Sequence, residues 1–549
     1  MFRFLALAAF LTLFFVPAAT RAAPTAAPVL AKADGPTFIL QVQSVEHLLD
    51  NAEYIAGLIG RDDDAKQWLG LARKMAGPKG IEGVDLKRPF LIYGYLNQEL
   101  VNSDVVVMIP MADKDSFLGL LKKTLSLEVK EEKDGLFSTE APNNIGTVYF
   151  RFANDYLYAT YLKKDNVAAT KIPKPADVMG KGDSVISIGV RIDRLPEEIK
   201  KFALGAIEEN LSKGKDQAIP NETPKIKALK DKTIDSVAAG VKAILFEGEQ
   251  ITLNIDVDSK KDELSFDFDL TAKKGSALAK DFADYKARKS VAFGGLATRD
   301  AAMVMALNLS MPSSVKNILG PAIDDVVKLG IAMIPNQAQT VLEPLVKALM
   351  PTLKSGDLDG SFAFLGPNKG DKYTIVMVGK IAGGKDLEKA IKEIVAKNAD
   401  TIPIQMFLEL DADTIGDTKI HRLKMKDGLD ESTKKIVGES DAWLAFRDDA
   451  FLLTFGPDAK DALKKALTSA PAAGPVMKME FAIGQLIAAL SAKEEKATKQ
   501  AAQKVFGANP TGDTFAMSVD GGESLHVRIA VKGKVLQFFY ELDKAKKGN

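Results

Sequence analysis

The feature that most constrains this chain is a pattern that occurs twice. Gly83-Val84-Asp85-Leu86-Lys87-Arg88-Pro89-Phe90-Leu91-Ile92-Tyr93-Gly94 lies without a gap beside Ser355-Gly356-Asp357-Leu358-Asp359-Gly360-Ser361-Phe362-Ala363-Phe364-Leu365-Gly366. Both carry Asp-Leu, a Phe four residues on, and a Gly four further. An apolar strand leading into an amphipathic helix follows each: Val105–Ile109 then Asp115–Leu125, and Tyr373–Val378 then Asp386–Ala396. A hairpin repeats too, Phe152–Thr160 against Phe446–Thr454, with Asn154-Asp155 and Asp448-Asp449 at the turns, residues that tolerate positive φ. A fixed self-similarity of this kind sets the architecture before any single element does.

The order of elements after each hairpin also matches. A helix-like stretch and a breaker-rich connector come first, Lys171–Gly180 and Thr468–Pro475. A strand running into a helix follows, Val185–Val190 and Val476–Phe481. Each copy closes on a meander, Leu253–Asp258 with Leu264–Leu270, and Phe515–Asp520 with Leu525–Val531. Leu264, Phe266, Phe268 and Leu270 alternate with polar residues, the period of a strand with one buried face. The fold class expected is α+β, two tandem homologous halves of antiparallel sheet with amphipathic helices packed on it. The halves expected are 37–288 and 289–549.

Helices are read from their stripes and caps. Ser44 suits an N-cap, Val45, Leu48, Leu49, Ala52, Ile55, Leu58 and Ile59 form an apolar stripe, and Gly60 suits the end. In the second half Leu387, Ala390, Ile391, Ile394 and Val395 do the same, and Glu388 with Lys392 makes an i,i+4 pair of helpful orientation. Residues 311–353 form a very apolar helical region, punctuated by Pro321, Pro335, Pro344 and Pro351 and so expected as several short helices. They are read as helices packed between the halves, with a mobile cover over an apolar cavity as the functional alternative. Lys213–Lys232 is basic, contains Pro220 and Pro224, and is expected as a solvated loop or insertion.

At the N-terminus, Arg3, the apolar run Phe4–Val16 and a small-residue zone ending at Ala22 form the three parts of a secretory signal peptide. The run is too short for a membrane-spanning helix. Residues 1–22 are read as a signal peptide and 23–36 as a linker; an uncleaved anchor is the competing reading. The expectation is an exported protein, periplasmic or extracellular, without a stable membrane span after cleavage.

Composition then removes whole classes of chemistry. With no cysteine there is no disulfide, thiol catalysis or cysteine-ligated metal. Equal numbers of basic and acidic groups, 73 of each, give no global case for nucleic acid. Three histidines, His47, His421 and His526, show no His-x-x-x-His spacing. Ser313 with Lys316 and Ser432 with Lys435 match Ser-x-x-Lys, but the companion elements of penicillin-binding enzymes are absent, as are nucleophile elbows and phosphate-binding loops. Asp411, Asp413 and Gly416 resemble the opening of a calcium loop, yet Ile415 and Arg422 hold positions where ligands are needed. Asp62-Asp63-Asp64 reads as a loop or cap, and Asp256, Asp258 and Asp262 surround a turn. Trp68 and Trp443 read as core residues. No catalytic, cofactor-binding or metal residue is assigned, and no cofactor is expected.

The stretch Gly83–Phe90, followed by Val105-Val106-Val107-Met108-Ile109-Pro110-Met111-Ala112-Asp113-Lys114-Asp115-Ser116-Phe117-Leu118, resembles that of uncharacterised secreted proteins of planctomycete-type bacteria. The resemblance covers most of the first half and, more loosely, the second. It implies export and this architecture and supplies no activity or site residue. The function expected is that of an exported, non-enzymatic binding or envelope structural protein of unknown ligand, with an apolar ligand or an envelope protein as the candidate partners. The alternatives are a periplasmic carrier of an apolar ligand, and a hydrolase with a carboxylate site assembled through the fold with His421.

Overall fold

The computed structural model describes residues 35–61, 81–97, 103–124, 126–141, 146–180, 182–217, 224–291, 301–311, 336–368, 370–397, 407–425, 428–489, 496–507 and 513–547, and the single positions 63, 67, 70, 316, 323 and 327. The signal segment, most of the linker, Trp68, Ser313 and most of 312–335 lie outside the described residues. Two compact units are formed. One holds residues 35–216 together with Val241–Leu278; the other holds the chain from Ala279 onward together with Gln217–Gly240.

The first unit contains β1 (Phe38–Val42), β2 (Phe90–Tyr95), β3 (Asp104–Pro110), β4 (Val129–Glu131), β5 (Leu136–Glu140), β6 (Thr147–Ala153), β7 (Tyr156–Tyr161), β8 (Ile186–Arg191), β9 (Gly248–Asp258) and β10 (Glu263–Ala272). They pair antiparallel in the order β10-β9-β8-β1-β2-β3-β7-β6-β5-β4. The second unit contains β11 (Arg288–Ser290), β12 (Ala301–Ser310), β13 (Asp357–Leu365), β14 (Thr374–Lys380), β15 (Leu408–Ile415), β16 (Thr418–Leu423), β17 (Ala442–Phe446), β18 (Ala450–Phe455), β19 (Ala472–Gly474), β20 (Met477–Ala482), β21 (Thr514–Asp520) and β22 (Ser524–Lys532). Its sheet runs β22-β21-β20-β12-β13-β14-β18-β17-β16-β15, again antiparallel throughout. β11 and β19 make a separate ribbon. With that ribbon set aside, the two sets of ten strands have the same order.

Helices cover these sheets where the apolar stripes require it. Helix α1 (Val45–Leu58) is capped by Ser44, whose hydroxyl accepts from the His47 amide at 2.9 Å, and it ends with Gly60 at φ +68°. Helix α2 (Lys114–Gly119) buries Phe117 against Phe137, Phe150 and Leu157. Two elements differ from expectation. The basic stretch 213–232 is helical on both sides of 218–223, in α3 (Glu197–Asp216) and α4 (Pro224–Glu247). Pro224 sits at the first helical position, where its missing N–H costs nothing, and Lys213–Glu209 and Lys227–Asp231 pair one turn apart. Likewise α5 (Asn336–Ser355) continues through Pro344 and Pro351. Each proline removes one hydrogen bond, while Leu345, Ala348 and Leu349 pack on the Ile381, Leu387 and Phe446 cluster and hold the helix in place. Helix α6 (Gly384–Lys397) buries Leu387, Ile394 and Val395 as its stripe predicts. Among the described residues no helix is long and apolar enough to cross a membrane.

The turn of the first hairpin takes the left-handed conformation expected, Asn154 at φ +51° and Asp155 at φ +58°. Its counterpart at Asp448-Asp449 does not; there Arg447 grips Asp449 through two side-chain hydrogen bonds of 2.9 Å. Both turns nevertheless make the same outward bond. Met111 N–H donates to Asp155 C=O at 3.0 Å, and Ile381 N–H donates to Asp449 C=O at 2.9 Å.

Candidate functional site

Two places carry polar groups that the packing of a sheet does not require. The first is a cluster in the second unit. Strand β16 carries His421 inward, and the residue is fully buried. Glu388 projects from α6, also buried, and Asp411 lies on β15 where the pairing slips between Glu409 and Asp413. Asp411 has φ +53°, which a non-glycine residue adopts only where its surroundings hold it. This conformation directs its N–H at His421 Nδ1, 3.0 Å away. Because Nδ1 accepts that bond, the proton of the neutral imidazole resides on Nε2. Nε2 has no hydrogen-bond partner; the nearest acceptor is Glu388 Oε1 at 3.4 Å.

Lys392 completes the group. Its ammonium stands 2.8 Å from Glu388 Oε1 and 2.9 Å from Asp411 Oδ1, and Lys385 approaches Glu388 Oε2 at 3.3 Å. The charges tune one another. Glu388 has its carboxyl pKa lowered by the neighbouring lysines against the opposing effect of burial. Asp411 is lowered chiefly by its bond from Lys392. Lys392 is raised by the two carboxylates, again against burial. Burial lowers the pKa of His421 and outweighs the pull of both carboxylates.

Glu388, Asp411 and His421 offer donor atoms within 4.8 Å of one another, the spacing of a metal-binding group. Their chemistry opposes that use. The Nδ1 lone pair is engaged by a backbone N–H, Nε2 carries the proton, and the protein's own ammonium occupies the space between the carboxylates. The calcium-loop resemblance dissolves as well. Gly416 and Asp417 form a tight turn between β15 and β16, and Asp413 pairs with Lys460.

The second place is a cleft of about 530 Å³ in the first unit. Its floor is the polar side of β1, β8 and β9, where Thr37, Ile39, Gln41, Ser187, Gly189, Arg191, Gln250 and Thr252 line one surface. Pro173, Asp177, Val178, Met179 and Gly180 form a wall, pinned by the Gly180 N–H donating to Gln41 Oε1 at 2.9 Å. Arg191 is neutralised by Asp193 at 2.7 Å and Glu249 at 3.2 Å. Arg194 is different. It reaches the Pro36 carbonyl at 3.0 Å, has a buried Nε without a partner, and makes no salt bridge among the described residues, though its charge helps lower the Asp193 carboxyl pKa. Burial raises the Tyr95 hydroxyl pKa, which keeps it a hydrogen-bond donor at neutral pH.

The other residues weighed from sequence are dispersed. His47 is exposed on α1, and His526 lies on β22 opposite Asp520. Ser432 bonds to Asp430 at the start of α7 (Glu431–Val437) and so serves the helix cap. Asp256 receives Ser184 and the Val185 amide, Asp258 caps the turn at Lys260 and Lys261, and Asp262 accepts from Tyr54 at 2.6 Å, so the three do not converge. Trp443 is half-buried beside the β-sheet core, with Arg422 and Lys460 over its ring. Gln41, Gly189 and Arg194 have no motif to mark them. No family model, curated protein or solved structure matches this chain.

Proposed function

We propose that this is an exported binding protein, built from two tandem homologous halves, whose first unit holds a small polar ligand through an anionic group facing Arg194. The observation that carries this reading is the cleft on β1, β8 and β9 with a guanidinium in its wall that makes no salt bridge among the described residues. Guanidinium groups recognise carboxylate and phosphate through paired N–H donors. The hydroxyls and amides of Tyr95, Thr252 and Gln250 add neutral hydrogen bonding. Binding alone accounts for these groups, since no nucleophile with an adjacent base lines the cleft.

Duplication is supported by more than strand order. Gln43 N–H donates to Val185 C=O at 3.1 Å, and Asn308 N–H donates to Val476 C=O at 2.7 Å, which places β1 beside β8 as β12 lies beside β20. Counted from these bonds, Gln41 takes the place of Ala306, and Arg191 that of Ala482. Both alanines are buried. The floor thus differs between the halves: Gln41 and Arg191 stand where the other has buried alanines, and Ser187 and Gly189 where it has the ion pair Lys478–Glu480 at 3.0 Å.

Native mass spectrometry of the chain from residue 23 to 549, purified from an exporting host, tests the binding. Mass in excess of the denatured chain is expected for the natural sequence and is lost in Gly189→Val. A Cβ at Gly189 meets nothing closer than 3.6 Å, so the valine fills the cleft without disturbing the sheet. A bare chain that also shows no thermal shift with citrate or inorganic phosphate would overturn the proposal.

A further inference from the structure

We propose that the His421 cluster is an acid-released latch: a second proton on the imidazole frees the β15–β16 hairpin from helix α6. This inference does not depend on the cleft binding a ligand.

The geometry leaves that proton no comfortable place. It must go to Nδ1, where the Asp411 N–H already donates at 3.0 Å. Two donors would then face each other, and the ring is walled by Phe446, 5.9 Å away between centroids, and by Leu444 across the strand pair. The charged groups around the ring are Glu388, Lys385 and Lys392 from α6 and Asp411 from β15, with Lys419 beyond Asp411. Both carboxylates attract an imidazolium, but Lys392 already bridges them. Lys385 and Lys392 already balance the two carboxylates, so a protonated ring would add a third cation to a neutral group. The part able to yield is the Asp411 peptide, held at positive φ in the irregular stretch of β15. Moving it breaks the Nδ1 bond, which is internal to the hairpin, and with it the Lys392–Asp411 pair, which ties the hairpin to α6.

The fold does not call for such a group here. Counted through matching hairpin turns, Leu444 takes the place of Phe150, and their strand partners are His421 and Phe137. Glu388 stands as far beyond Ile381 as Leu118 does beyond Met111. The first unit thus fills this spot with Phe137, Phe150 and Leu118, all packed in one apolar cluster. Phe137 lies 5.7 Å from Phe152, as His421 lies 5.9 Å from Phe446. A polar group buried where its counterpart is hydrocarbon needs a reason other than packing.

The direction with pH comes from linkage. The folded protein holds His421 below its ordinary pKa of 6.5, so the closed state is fully stabilised above that pH and loses stability as pH falls below it. Glu388 and Asp411 are also lowered, from 4.5 and 3.8, so they keep their charge until much lower pH.

The chain has three histidines, so carbon-13 labelling of histidine gives three ring signals to titrate. The signal lost in His421→Gln should titrate below 6.5, and its nitrogen shifts should report the Nε2–H form. Hydrogen exchange of peptides from 407–425, corrected for intrinsic rates, should then show protection falling as pH goes from 7.5 to 5. The loss is about tenfold for each unit by which the histidine is depressed within that range. Peptides from 129–140, around Phe137, should not change. His421→Gln can accept from Asp411 and donate to Glu388 without titrating, and should keep its protection at pH 5. If that glutamine fails to fold, His421→Phe takes its place as the non-titrating variant. A ring that titrates at 6.5 or above, unchanged protection at pH 5, or an equal loss in the non-titrating variant would each overturn the proposal.

Discussion

Where the first unit stacks Phe137 on Phe150 with ring centroids 5.5 Å apart, the second sets an imidazole beside a carboxylate and an ammonium. Where the second has the buried Ala306 and Ala482, the first has Gln41 and Arg191 lining a cleft. Each unit is plain at the position where the other is specialised. The lesson is one of separability. Ten strands in this order accept polar or apolar side chains at either position, so one can be given to polar chemistry while the other supports the fold.

The comparison can be broken by exchanging the residues. Phe137→His would place an imidazole among Phe150, Phe152 and Leu118 with none of the partners that His421 has. Lost packing and an unsatisfied polar group should together cost about 3–5 kcal/mol, read as a shift in the urea midpoint. A cost below about 1 kcal/mol would mean that the two positions are not equivalent. The reverse exchange should go the other way. Glu388→Leu with His421→Phe replaces a buried polar group by the first unit's own hydrocarbon, and should leave stability unchanged or raise it by about 1–4 kcal/mol. It should also remove the fall in stability between pH 6.5 and 5. A large destabilisation would show that the cluster is part of the framework.

A smaller effect sharpens the contrast between the two hairpin turns. Asn154 has positive φ and Asp448 does not. Asn154→Ala should cost about 1 kcal/mol in thermal unfolding. Asp448→Ala should fall within about 0.5 kcal/mol of the natural chain, as for an ordinary surface position. Equal losses at the two turns would count against the backbone difference.

Local signals are legible in the sequence. The Ser44 cap, the Gly60 stop, the stripe of α6 and the Glu388–Lys392 pair all come from spacing on one helix. His421 and Asp411 also stand out, one as a histidine in a strand and the other as part of a false calcium loop. Their meeting does not, because it depends on α6 lying against the β15–β16 hairpin, a contact that no periodicity encodes. The ungapped Asp-Leu match illustrates another limit. It sets Leu91 beside Ala363, yet counting through Thr160 and Thr454 and then Val106 and Val376 gives Tyr93 the place of Ala363. A slip of two residues keeps every side chain on its own face, so the pattern of a strand is blind to it. Prolines mislead twice, at Pro224 and in α5, because the effect of a proline depends on whether its missing N–H had a partner to lose.

Strand β15 is the last in its sheet among the described residues, so one row of its amides and carbonyls faces away from β16. An open row of that kind is a template on which a strand from another molecule can grow. Glu409, Asp411 and Asp413 are engaged by Lys424, Lys392 and Lys460, and the left-handed turn at Asp411 breaks the straight run that a growing sheet needs. The same residue that holds the imidazole therefore guards the molecule against self-association. Acid would weaken both duties at once, making aggregation of the hairpin the hazard that accompanies its release.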